Sequence, residues 1–265
     1  MPPEETPAQP EYAPVLEPEA VGISPQLSLP PPLPREREPF WGYGDLALVL
    51  GLMLASMAII LVGVAGATAI WPHLKDDPKP LLLPTNVVMY AFLLLVFKFA
   101  IGTRYGKPVL PSLGWRMTSP RVLGYAAAAG VVLPFVISAI GNLLHTPKGP
   151  TAMDEMMKSM PIVPLAVMAA ALAPFFEELF FRGFLQPLLT RTFGLVFGIL
   201  LTAALFGSLH AVEYSFIWQY VVAIGLLGVV LGFVRARTNS IVPTTIMHGC
   251  FNGLQVIALA LSKHQ

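Results

Sequence analysis

The chain has 265 residues, 55% of them hydrophobic and only 12% charged, against roughly 25% charged in a soluble domain. Its formal net charge is +1, which excludes the basic excess that nucleic-acid binding demands. So apolar a composition belongs to a membrane protein with several spans, and the single cysteine, Cys250, has no partner for an internal disulfide.

Residues 1–39 are proline-rich, include LPPPLPRERE and carry no periodic apolar face. They are expected to form a disordered tail, because proline removes backbone donors and this composition cannot bury a core. The opening MPPEETPAQPEYAP has no basic n-region or apolar h-region, so a cleavable signal peptide is not expected and insertion falls to the first true span. Residues 40–265 are expected to form a transmembrane helical domain. Its apolar runs are Asp45–Trp71, Pro80–Ile101 with Pro84 trimming the start, Val122–Leu144, a fourth from Ile162, then Phe193–Ala211, Tyr214–Val234 and Ser240–Leu261. Between the third and fourth lies HTPKGPTAMDEMMKSMP, whose Met153, Met156, Met157 and Met160 suggest a short interfacial amphipathic helix, or an eighth span if it enters the bilayer. The fold class is therefore all-α, a polytopic bundle of about seven to eight transmembrane helices. With seven spans, Arg104, Lys107, Arg116, Arg121, Arg191, Arg235 and Arg237 fall on one side. The positive-inside rule makes that side, and the N-terminus, cytoplasmic.

Ionisable residues inside spans need a partner or a water-filled cavity and are functional candidates for that reason. The densest group is APFFEELFFRGFLQP. Glu178 and Arg182 are i and i+4, acid before base, and can neutralise one another. Glu177 points about 100° away on the helix and faces no countercharge within the motif. It is the candidate for proton chemistry, with the Glu178–Arg182 pair as structural support. The next helix carries Phe206 and His210, and the last carries His248 and Asn252, again one turn apart. If the fourth helix continues through Gly183 and Pro187 and reverses near Thr192–Gly194, Glu177, His210, His248 and Asn252 reach similar depth. Asn86 and Asn142 are lone amides expected only to bridge helices.

A carboxylate and a histidine can hold and deprotonate water, while a histidine and an amide one turn away can stabilise an oxyanion. Glu177 and His210 fit the first task, His248 and Asn252 the second. The outcome is peptide-bond hydrolysis without a covalent intermediate. Glu177, His210 and His248 are also candidate ligands for a divalent metal such as zinc, although no H-E-x-x-H is present. The metal-free route is equally open. A carrier or channel reading is disfavoured by the absence of an internal repeat.

EELFFR at Glu177–Arg182, FGSLH at Phe206–His210 and HGCFN at His248–Asn252 resemble the three motifs of the CAAX-protease and bacteriocin-processing (CPBP, or ABI-domain) family, which is related to the type II CAAX prenyl endopeptidases. The resemblance extends over about Leu113 to Leu261. It implies a helical membrane fold, hydrolysis in or near the bilayer, and the same division of roles: Glu177 and His210 on water, His248 and Asn252 on the oxyanion. It leaves metallo- and metal-free mechanisms both open. The implied partners are a peptide or membrane-protein substrate and the lipid bilayer; the short loops and compact size point to the cell membrane of a prokaryote. The alternative is a non-catalytic member serving as an immunity or scaffold protein.

Overall fold

The computed structural model describes residues 38–147 and 149–262, so the expected proline-rich tail lies, but for its last two residues, outside the described part. Each apolar run forms a helix, and the ends carry the chemistry that starts and stops helices. Helix α1 (Tyr43–Ile70) opens at Gly42, whose N–H donates to Asp45 Oδ2 at 2.9 Å. The same carboxylate accepts from Arg104 and from the Tyr105 hydroxyl, each at 2.7 Å, and so pins α1 to the end of α2 (Lys79–Thr103). In α3 (Pro120–Leu143), Ser119 caps the first turn and Pro120 sits where its missing N–H costs nothing. Helix α4 (Ala152–Ser159) has a Thr151–Asp154 capping box. Helix α5 (Ile162–Phe193) stops at Gly194, whose φ of +81° suits glycine, and reverses into α6 (Leu195–Leu209). Helix α7 (Trp218–Thr238) ends on left-handed Asn239, and α8 (Val242–Ser262) follows.

Six of these helices, α1, α2, α3, α5, α7 and α8, are long and apolar enough to cross a membrane. The fifth expected span is the 15-residue α6, about 22 Å long and so shorter than a hydrocarbon core of about 30 Å. The methionine-rich segment is the eight-residue α4, too short to be an eighth span. Pro84 does not trim α2 but lies inside it. Its missing N–H falls within the second turn, where the carbonyl left without that donor, Pro80 O, is near the helix end. Asn86 does not bridge helices; its amide donates to Leu82 O one turn back in α2.

Helix α5 is the central element. Two stretches of it are π-helical, Met168–Leu172 and Leu179–Leu185, and all seven residues of the second are buried. Aromatic rings converge on it: Tyr90 stacks on Phe176 at 4.3 Å, while Trp41 and Phe97 each meet Phe184 at 5.5 Å. Neighbouring helices touch through small residues, as membrane helices must when there is no water to expel between them. A Cβ on Gly207 of α6 would come within 2.5 Å of Val221 O in α7, and one on Gly130 of α3 within 2.3 Å of Met247 O in α8. The outward faces of α1 and α3 expose Leu54, Val62, Phe135 and Leu143, as lipid contact requires.

Candidate active site

The second π-helical stretch begins directly after Glu178, so both glutamates sit at the junction where α5 widens. π-segments are rare and favour functional positions. Widening also frees backbone carbonyls, and distant side chains collect them. The Trp41 indole N–H donates to Phe184 O at 3.1 Å, Arg235 Nε to Arg182 O at 3.2 Å, and Asn252 Nδ2 to Ala169 O in the first π-stretch at 2.9 Å. These bonds reach across 143, 53 and 83 residues, which is how the tertiary structure holds α5 in this shape.

Glu178 and Arg182 form the expected pair. Arg182 Nη1 lies 2.9 Å from Glu178 Oε1, and both side chains are wholly buried. Arg182 Nη2 donates to Gly228 O at 3.1 Å, and its guanidinium lies 4.4 Å from the Phe206 ring centre. A cation over an aromatic face in a dry site is stabilising, so Phe206 supports the arginine as well as the helix packing.

His248 stands between the two glutamates. Its Nδ1 is 3.2 Å from Glu178 Oε1 and its Nε2 is 3.8 Å from Glu177 Oε2. Glu178 thus fixes the ring of His248 in addition to neutralising Arg182. The Glu177 carboxylate is about a quarter exposed, which leaves it room to meet a substrate. His210 closes α6; its Nδ1 is 2.8 Å from Phe206 O, and Nε2 is 4.0 Å from Glu213 Oε2. With Nδ1–H donated to that carbonyl, Nε2 carries the free lone pair. Phe206 lies between the two imidazoles, 4.7 Å from His210 and 5.7 Å from His248, centre to centre. Asn252 lies one turn beyond His248 on α8; one of its two amide protons is used on Ala169 O, and the other is unspent.

Glu213 escaped the sequence reading. It follows His210 by three residues in the turn after α6 and stands near enough to Glu177 for the two carboxylates to repel. Burial pushes its carboxyl above the ordinary range and Glu177 adds to the rise, while His210 pulls the other way. The available signal was the H-x-x-E spacing, which brings two side chains to one face of a helical turn.

Among the described residues, no three His, Cys, Asp or Glu side chains are arranged to hold a metal ion. Glu177, His210 and His248 as they stand do not make that set. Two cavities of about 570 Å³ flank α5, and neither is lined by Glu177, His210 or His248.

Residues 159–254 match a family model described as type II CAAX prenyl endopeptidase, Rce1-like. The matched stretch holds Glu177–Arg182, Phe206–His210 and His248–Asn252 together. No curated protein and no solved structure matches the chain. Through residues 159–254, this integral, multi-pass membrane protein is related to the CPBP/CAAX-protease family.

Proposed function

We propose that the chain is an intramembrane endopeptidase that hydrolyses a peptide bond of a peptide or membrane-associated protein with water activated by Glu177 and His210. The observation that supports this reading most is the bracketing of one imidazole, His248, by two glutamates of unequal environment. One is wholly buried and salt-bridged; the other is partly exposed and faces His248 at 3.8 Å, with no lysine or arginine in ion-pair distance among the described residues. Environments that separate two adjacent carboxylates in this way assign them different tasks.

In the reaction, Glu177 and the free Nε2 of His210 hold a water. Glu177 takes its proton as the water oxygen bonds to the scissile carbonyl carbon. The oxyanion that forms accepts from the second amide proton of Asn252 and from Nε2–H of His248. Collapse breaks the C–N bond, and the proton held by Glu177 passes to the leaving amine. Glu178 and Arg182 do not touch the substrate; they position His248. No step is routed through a metal. A prokaryotic cell membrane is the setting we infer from the short connections between spans.

The test is cleavage of a membrane-peptide library in liposomes by purified wild type and Glu177→Gln, with and without chelator. Cleavage lost in Glu177→Gln supports the reading, and the chelator arm decides on metal. Equal cleavage by both forms refutes the role of Glu177. Silence from both shifts weight to an immunity or scaffold role.

A further inference from the structure

At the end of the bundle away from His210 and Glu213 lies a cavity of about 570 Å³ lined by Arg116, Arg191 and Arg235, with Glu38 as its one carboxylate. Three cations against one anion leave an excess of two positive charges. Among the described residues, none of the three arginines has a carboxylate within ion-pair distance. Arg116 is close enough to Arg235 for their charges to repel. Like charges gathered with no neutralising partner call for an anion.

The cavity is a built site. Its wall at Gly114–Arg116 is tied to the α7–α8 turn, where Ile241 N–H donates to Gly114 O at 2.9 Å and the Ser240 hydroxyl donates to Arg116 O. Arg191 is held by Nη1 on Pro39 O. Arg235 is fixed by Nε on Arg182 O and by Nη1 on Asn239 Oδ1 at 2.9 Å. That uses two of its five N–H donors and leaves three. Its guanidinium lies flat on Gly114, where a Cβ would stand 2.8 Å from Nη2 and where φ is +83°. Gln186 closes the inner wall: it is 3% exposed, and its amide donates to Gly232 O at 2.9 Å.

We propose that this cavity binds the headgroup phosphate of an anionic membrane phospholipid, with the phosphate on Arg116, Arg191 and Arg235. Depth favours a lipid over a soluble anion. Arg191 is two residues from the end of α5 and Arg235 lies in the last turn of α7, which is where a span meets the headgroups. This is also the end that collects the basic connectors, and basic pockets between spans on that side suit anionic headgroups.

The experiment is native mass spectrometry of the full chain in neutral detergent, titrated with phosphatidylglycerol, phosphatidylcholine or inorganic phosphate. Phosphatidylglycerol is expected to bind at least tenfold more tightly than phosphatidylcholine. Arg116→Gln and Arg191→Gln should each weaken it about fivefold, as one arginine near an anionic headgroup is worth. Arg121→Gln, at the same end but outside the cavity, should change it less than twofold, and Arg116→Lys should retain most of the affinity. Thermal unfolding of each variant without added lipid shows that it folds. Equal affinity for the two lipids overturns the proposal, as does equal loss in Arg121→Gln. Saturation by inorganic phosphate at the lipid's affinity overturns the lipid source. None of these readouts depends on proteolysis.

Discussion

Arg182→Ala removes a wholly buried guanidinium with three roles: the ion pair to Glu178 Oε1 at 2.9 Å, the hydrogen bond to Gly228 O, and the contact over Phe206. Glu178 is then left dry without its arginine, with His248 and Thr244 beside it. Breaking a buried pair by removing one partner costs about 3–5 kcal/mol. Loss of the charged hydrogen bond to Gly228 O adds about 1.5–3 kcal/mol, though such terms are not additive. Against a total stability of about 5–15 kcal/mol, a loss of about 4 kcal/mol removes from about a quarter to most of the margin, and in cells even about 1–2 kcal/mol changes abundance several-fold. The assay is thermal unfolding in detergent, with membrane abundance read by fluorescence-detected size exclusion. Arg182→Ala should lose most of its abundance, whereas exposed Arg121→Ala should match wild type. The double variant Glu178→Leu with Arg182→Met removes both charges at similar volume and should recover abundance without recovering cleavage, since an apolar replacement of a buried pair is often neutral or stabilising. If Arg182→Ala unfolds within about 1 kcal/mol of wild type, the pair is not what accommodates Glu178 in the membrane.

Other outcomes follow from the same contacts. Glu177→Gln should keep near-normal abundance and lose cleavage by a factor of about 10² or more, since proton transfer by a positioned base is worth that much; misfolding of this variant alongside normal Arg182→Ala would reverse the roles given to the two glutamates. Asn252→Ala should lower kcat about 10²-fold with KM little changed, as loss of an oxyanion donor does; a rise in KM alone would make Asn252 a packing residue. Trp41→Phe keeps the ring against Phe184 but removes the donor to its carbonyl, and a lower unfolding midpoint equivalent to about 1–3 kcal/mol is expected; an unchanged midpoint would mean the π-stretch does not need that bond. Glu213 has its carboxyl raised by burial, so the folded chain holds this proton more tightly than the unfolded chain. Its contribution to stability is therefore greatest at acid pH and declines as pH climbs from the ordinary carboxylate range through the raised value. With the side chain nearly half exposed the effect is small; Glu213→Gln should flatten that slope in thermal melts between pH 4 and about 7, and a steeper slope would contradict the assignment.

Local order in the sequence determined much of this protein. Seven apolar runs became seven helices because a span must satisfy its own backbone, whatever its neighbours do. The Glu178–Arg182 pair was legible because i and i+4 share a face, and the three motif groups were legible because ionisable residues are conspicuous where they are costly. Tertiary structure decided the rest. Hydropathy carries no mark of a π-turn, so the widening of α5 after Glu178 was invisible, as were the side chains of Trp41, Arg235 and Asn252 that collect its carbonyls from 53 to 143 residues away. Matching depth along helices brought His248 near the two glutamates of α5, but depth alone does not fix rotation about a helix axis. Rotation is set by packing, here by Phe206 wedged between His210 and His248 and by small residues that let α3 and α8 touch. That packing turned His248 to both glutamates and left His210 with Glu213, a partner whose H-x-x-E spacing was local but whose burial was not.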